Sequence, residues 1–251
     1  MIDTHIHADA RSSEDFRDMY LAGIDTAITC SFYPYRANEE ILLNHLNRIL
    51  EFDTNRASKY GIDLKVALGI HPTNTVENPE RIFNELYSWI ENKQIVAIGE
   101  IGLEDLTDIE IETFKKQLVI ADETDSKVII HTPRKNKLEV LKVILDIVPQ
   151  YLDEKQAVID HINPDVIGEV IDKDYMLGLT VQPQKLDVAG AILRRKTGIG
   201  LLVSFSPELR PGPVPVPRGS PVRTWTRQRG PCCAPGRSRP RCPGRIPKRR
   251  R

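Results

Sequence analysis

Thiols are scarce over most of this chain. Four cysteines occur in 251 residues, and only Cys30 lies before Pro207. One cysteine over that length excludes a disulfide framework and suits a reducing compartment. Cys30 closes the apolar run Ala27-Ile28-Thr29-Cys30, which predicts a buried, inert thiol rather than a nucleophile. Also missing is any apolar stretch near the ~18 residues needed to span a membrane, and no charged-then-apolar leader opens the chain. A soluble, cytoplasmic protein is the expectation. No G-x-S-x-G, P-loop or G-x-G-x-x-G motif occurs. Gly99-Glu100-Ile101-Gly102 is too short to cradle a phosphate, and its glycines read as backbone freedom around Glu100.

A net charge of zero conceals two unlike parts. From Pro207 onward there are 13 basic residues and one acid, which leaves 22 basic and 34 acidic residues, a net of −12, before it. The same segment holds 11 of the 18 prolines and 12 arginines, with no helical or strand period. Such sequence cannot bury enough apolar area to offset its ordering entropy. The expected organisation is therefore a domain over residues 1–204 and a disordered Pro/Arg-rich tail over 205–251. The abrupt compositional change reads as out-of-frame or foreign sequence joined between Thr197 and Ser206. The rival reading is a nucleic-acid arm with Trp225 available to stack on a base.

Within the domain, short apolar runs rich in β-branched residues recur: Ile2–His7, Thr26–Cys30, Lys65–Ile70, Ile95–Glu100, Lys127–His131, Ala157–His161, Met176–Val181 and Gly200–Ser204. They are continuous rather than alternating, as strands buried on both faces require. Helical spacing separates them: around Ile41–Leu50, Ile82–Ile90, a helix capped by Thr107 or Asp108, Leu138–Val148, and one capped by Asp187. Repeated strand-then-helix units indicate a parallel sheet, either open and doubly wound or closed as a barrel. Eight candidate strands favour the (β/α)8 barrel, with the eighth strand and C-terminal closure in doubt.

Polar residues favour the barrel further. In Asp3-Thr4-His5-Ile6-His7, strand alternation puts Asp3, His5 and His7 on one face. His71, Glu100, His131 and His161 each lie on or just after the C-terminal end of a later strand. A barrel gathers those ends at one rim, where active sites form. His45 falls in a helical pattern and reads as helix surface. Imidazole nitrogens with a carboxylate suit Zn2+, Mn2+ and similar ions, and a cation-bound water has its pKa lowered to about 7. Arg134 could meet a phosphate in a bidentate way or be a solvated loop arginine. Asp160 should leave the strand on the face opposite His161. Thr180 and Gln182 could line the mouth.

Asp-Thr-His-Ile-His, Gly-Ile-His-Pro, Gly-Glu-Ile-Gly-Leu, Ile-Ile-His-Thr-Pro-Arg and Asp-His-Ile-Asn occur in this order over about residues 1–196. Together they resemble the TatD-related metal-dependent hydrolases of the amidohydrolase superfamily. The resemblance implies a (β/α)8 barrel with two divalent metal ions (Zn, Mn or Mg). His5 and His7 would hold one, His131 and His161 the second, and Glu100 would bridge both as the catalytic carboxylate. His71 and Arg134 would face the substrate. It implies hydrolysis by a metal-activated water, with phosphodiester bonds of DNA as the first expectation. The acidic domain suits a small substrate or a nucleic-acid end better than duplex. Amide or ester hydrolysis by the same water is the alternative. The family also expects an aspartate ending the eighth strand, and Gly200-Leu201-Leu202-Val203-Ser204-Phe205-Ser206 has none. A catalytically impaired metal-binding barrel is therefore a third reading.

Overall fold

The computed structural model describes residues 1–33, 35–181 and 201–205, with Val181 and the last five as backbone alone. The 205–251 tail, apart from Phe205, the helix expected after Asp187, and Gln182 lie outside the described residues.

Eight strands form one sheet in sequence order. They are β1 (Ile2–Ile6), β2 (Thr26–Cys30), β3 (Asp63–Leu68), β4 (Ala97–Gly102), β5 (Val128–His131), β6 (Ala157–Ile159), β7 (Met176–Val181) and β8 (Leu201–Phe205). All seven successive pairings are parallel. β8 pairs with β7 over five residues, from Leu177↔Leu201 to Val181↔Phe205, and also comes beside β1. The sheet thus curls as a barrel does, and the eighth strand is present where its place was in doubt. Every residue of β4 is buried, Glu100 included, so the strand shows no alternation of apolar and exposed polar residues.

α-Helices fill the first five crossovers, and a 3-10 turn over Ile167–Glu169 lies in the sixth. The α-helices are α1 (Ser13–Leu21), α2 (Glu39–Arg48), α3 (Thr54–Ser58), α4 (Glu80–Glu91), α5 (Asp108–Glu123) and α6 (Lys137–Ile147). A π-helical turn over Ile49–Asp53 joins α2 to α3. α5 starts at Thr107, whose side chain accepts from Glu110 N. α1 was not anticipated. Its apolar stripe is thin, with Phe16 alone fully buried, but Ser12 and Asp15 form a reciprocal capping box. Residues such as Phe114 and Leu118 pack the helices on the sheet, each burial contributing roughly 1.5–3 kcal/mol.

Small residues occupy another layer. Cys30, Ala67 and Ala97 are register partners along β2, β3 and β4, and cluster with Ile129. Cys30 is fully buried, as its apolar setting predicted, and its Sγ lies 4.0 Å from His5 Nδ1. His45 does not behave as helix surface. Its Nε2 lies 2.7 Å from Asp9 Oδ2, and its ring is 4.9 Å from that of Tyr33. The turn after β1 presents the largely buried Asp9 carboxylate to α2, and this draws the imidazole inward.

Candidate metal centre

Glu100 is 1% exposed, and its two oxygens have different neighbours. Oε2 lies 3.4 Å from His5 Nε2 and 3.9 Å from His7 Nε2. Oε1 lies 2.8 Å from His131 Nδ1 and 3.0 Å from His161 Nε2. β1 with the residue after it, β5 and the turn after β6 therefore deliver four imidazoles, two to each oxygen of the carboxylate that β4 supplies. All four were candidate site residues from the sequence, as was Glu100.

The outward nitrogen of each imidazole has its own partner, and the partner's chemistry assigns the tautomer. His7 Nδ1 is 3.1 Å from Cys30 O, a carbonyl that can only accept, so Nδ1 carries the proton and Nε2 offers a lone pair. His5 Nδ1 donates to the Asp160 carboxylate. His131 Nε2 is 2.7 Å from Glu104 Oε2. His161 Nδ1 is 3.0 Å from Thr180 Oγ1, a hydroxyl able to accept. Carboxylate or carbonyl support behind a ligating histidine fixes its ring and raises its basicity.

His71 is the exception. It is buried, its ring 4.5 Å from that of His131. Its Nδ1 accepts the Thr73 backbone N–H at 3.2 Å, which places the proton on Nε2. Its ligand-capable atoms do fall within 4.8 Å of those of Glu100 and His131. In this tautomer its Nε2–H is available to donate a hydrogen bond. Asp160 falls in the other such group, with His5, Glu100 and His161. Its oxygens are already engaged, one by His5 and the other by His161 N at 2.6 Å. It therefore stands behind the candidate ligands His5 and His161.

Asp160 was expected on the opposite face from His161. Strand alternation no longer applies there, because β6 ends at Ile159 and His161 has a left-handed backbone, φ 58°. Both side chains turn inward. Lys137 braces this corner, donating to Thr132 O, Thr132 Oγ1 and His161 O. Asp3 is buried and accepts from His5 N at 3.3 Å, but belongs to neither ligand-capable group. Arg134 is exposed beyond β5, and among the described contacts none ties it to the cluster.

Mutual charge sets the protonation of the cluster. For Glu100, burial pushes its carboxyl up, but His5 and His131 outweigh this and hold it well below the usual range. Burial works the same way on Asp160, and His5 and His161 override it downward. For His131, burial lowers the pKa, yet Glu100 and Glu104 raise it to about 9. His5 is likewise raised against its own burial, with Cys30, Asp160 and Glu100 contributing. His7 is lowered by burial and by the charge on His5. Burial takes His71 down to about 3. The cluster thus holds protons on His5 and His131 in positions a cation could take.

The sequence did not single out Glu104, Thr73 or Lys137. Each acts on a cluster histidine through a loop or helix start, where no periodicity indicates where a side chain points.

Ligand-capable nitrogens around a buried carboxylate, at the C-terminal ends of parallel strands, are the donor set of a metal-dependent hydrolase. The comparisons agree. Residues 2–192 match the family model for TatD related DNase, and the chain belongs to that family. A protein of Methanocaldococcus jannaschii described as an uncharacterized metal-dependent hydrolase is 41% identical over 185 residues, 73% of each chain. The crystal structure of a TatD-like protein from Archaeoglobus fulgidus superposes with TM-score 0.71 at 30% identity, covering 83% of this chain and 85% of that one. A phosphotriesterase homology protein of Escherichia coli shares the fold at TM-score 0.54 and 14% identity, over 80% of each chain. The protein is a metal-dependent hydrolase of the TatD family. No helix among the described residues is long and apolar enough to cross a membrane.

Proposed function

We propose that this hydrolase acts on phosphodiester bonds at a nucleic-acid end, with two divalent cations (Zn2+, Mn2+ or Mg2+) sharing Glu100. The division of Glu100's oxygens between two histidine pairs carries the reading. His5 and His7 would hold one cation, His131 and His161 the other. When bound, the cations supply an acidified water and positive charge opposite the phosphoryl oxygens.

The chain's own residues do the rest. Asp160 and Glu104 keep the His5 and His131 rings turned toward Glu100. His71, neutral and protonated on Nε2, donates a hydrogen bond to a substrate oxygen. Arg134 offers a planar cation to an incoming phosphate from the exposed loop after β5. The family name, TatD related DNase, is in keeping with this substrate class.

One observation favours a second reading. β8, Leu201–Phe205, contains no carboxylate. A chain that binds metal and turns over slowly or not at all would follow.

The test is metal-loaded protein on single-stranded oligonucleotides, small esters and small amides, with Glu100→Gln as control. Metal-dependent oligonucleotide cleavage lost in Glu100→Gln is expected. Turnover confined to esters or amides overturns the phosphodiester assignment, and stoichiometric metal without turnover on any substrate supports the second reading.

A further inference from the structure

The loop between β2 and α2 stands at the same rim as the histidines and is unusually aromatic. Phe32 lies 5.5 Å, ring to ring, from His7 and 5.3 Å from His71, so it adjoins the candidate centre. Tyr33 packs edge-on against His45, which Asp9 holds. Tyr35 stands next to Tyr33, centroids 6.1 Å apart and planes at 74°, and is 72% exposed. Arg36 beside it is exposed as well.

Asn74 ties the backbone of Tyr33 and of Tyr35. Asn74 is 4% exposed; its Oδ1 accepts from Tyr33 N at 3.0 Å. Its Nδ2 donates to Tyr33 O at 2.5 Å and to Tyr35 O at 3.4 Å. Asn74 ends the turn Pro72–Asn74, which begins directly after His71. One turn therefore sets both the His71 donor and the aromatic loop.

The folded state gains little from Tyr35, whose ring faces water. Burial explains Phe32 and Tyr33 but not Tyr35. An exposed aromatic beside an exposed arginine, near a site for phosphodiesters, matches how unpaired bases are held: stacking on a ring, with a cation along the backbone.

We propose that the β2–α2 loop is a base-binding subsite. Tyr35 stacks on the nucleobase of a single-stranded end whose phosphate sits at the histidine cluster, and Phe32 closes the gap between ring and centre. The inference rests on the phosphodiester reading. It makes the enzyme selective for ends that carry an unpaired base.

Binding of phosphorothioate-blocked single-stranded oligonucleotides to the metal-loaded protein tests it, by fluorescence anisotropy. One oligonucleotide ends in a normal nucleotide and the other in an abasic residue. Base–aromatic stacking of ~1–3 kcal/mol predicts roughly tenfold tighter binding of the normal end. Tyr35→Ala should abolish that ratio, and Tyr35→Phe should keep it. Equal binding of the two ends by wild type, no binding of either, or a ratio preserved in Tyr35→Ala, overturns the proposal. Cleavage of the unblocked oligonucleotide reads the phosphodiester assignment separately. A base-dependent ratio without cleavage would keep the subsite and reject that activity.

Discussion

Asp160 accepts a hydrogen bond from His5 Nδ1 across 155 positions of sequence, joining the end of β6 to β1 behind the candidate centre. The carboxylate can only accept, so His5 keeps its proton outward and its Nε2 toward Glu100. In Asp160→Asn the amide can rotate to set a donor against that N–H. Metal affinity should fall roughly 10–100-fold, the usual cost of losing such a partner. Calorimetric titration of metal into the purified variant checks this. An unchanged affinity would show that Asp160 does not govern His5.

Gly178 on β7 leaves room for that carboxylate. A Cβ built there would overlap Asp160 Oδ1 and lie 2.7 Å from Cγ. Gly178→Ala should cost about 1–3 kcal/mol of stability by overpacking and weaken metal binding by displacing Asp160. In the Asp160→Ala background the same substitution should cost much less. A double-mutant cycle in thermal unfolding measures the coupling, and strict additivity would count against the contact.

His71→Leu separates donor from ligand. If Nε2–H serves the substrate, metal stoichiometry stays that of wild type while turnover falls, on the order of 100-fold for one lost hydrogen-bond donor. Loss of one metal equivalent, measured by elemental analysis, would return His71 to the ligand set.

Protons and cations should compete at this centre. His131 stands at about 9 in the metal-free fold, above its ordinary 6.5. Its contribution to stability is fully present below 6.5 and is lost as pH rises through 9. The depressed Glu100 and Asp160 act in the opposite sense, their contribution being lost as pH falls below the ordinary carboxylate range. Metal-free protein should thus lose stability between pH 6.5 and 9, while metal affinity rises over the same interval. Metal binding at pH 7 should release protons, because His131 and His5 give theirs up. Titrations in buffers of different ionisation enthalpy count them; zero release would contradict the protonated cluster.

The strands and the site histidines were legible because both follow from local rules. β-branched runs marked β1 to β8, and the polar residue closing each run marked the rim. His5, His7, Glu100, His131 and His161 converge as that logic requires. What failed did so where the rules stop. Asp160 was placed on the wrong face because alternation lapses at a left-handed residue. His45 was assigned to helix surface because nothing local shows that Asp9 lies across from it. Glu104 serves His131 from a loop, and Thr73 sets His71 through a backbone N–H, which any residue but proline supplies. α1 was missed because a short helix with one fully buried side chain leaves little period, although Ser12 and Asp15 spelled its cap.

The donors of this centre come from β1, β4, β5 and the end of β6, so no unfolded stretch of chain can assemble them. The affinity that the full donor set has for a cation belongs to the folded ensemble and adds to its stability. Bound cation then sets a lower bound on the folded fraction of a preparation, and a chelator should lower its melting temperature.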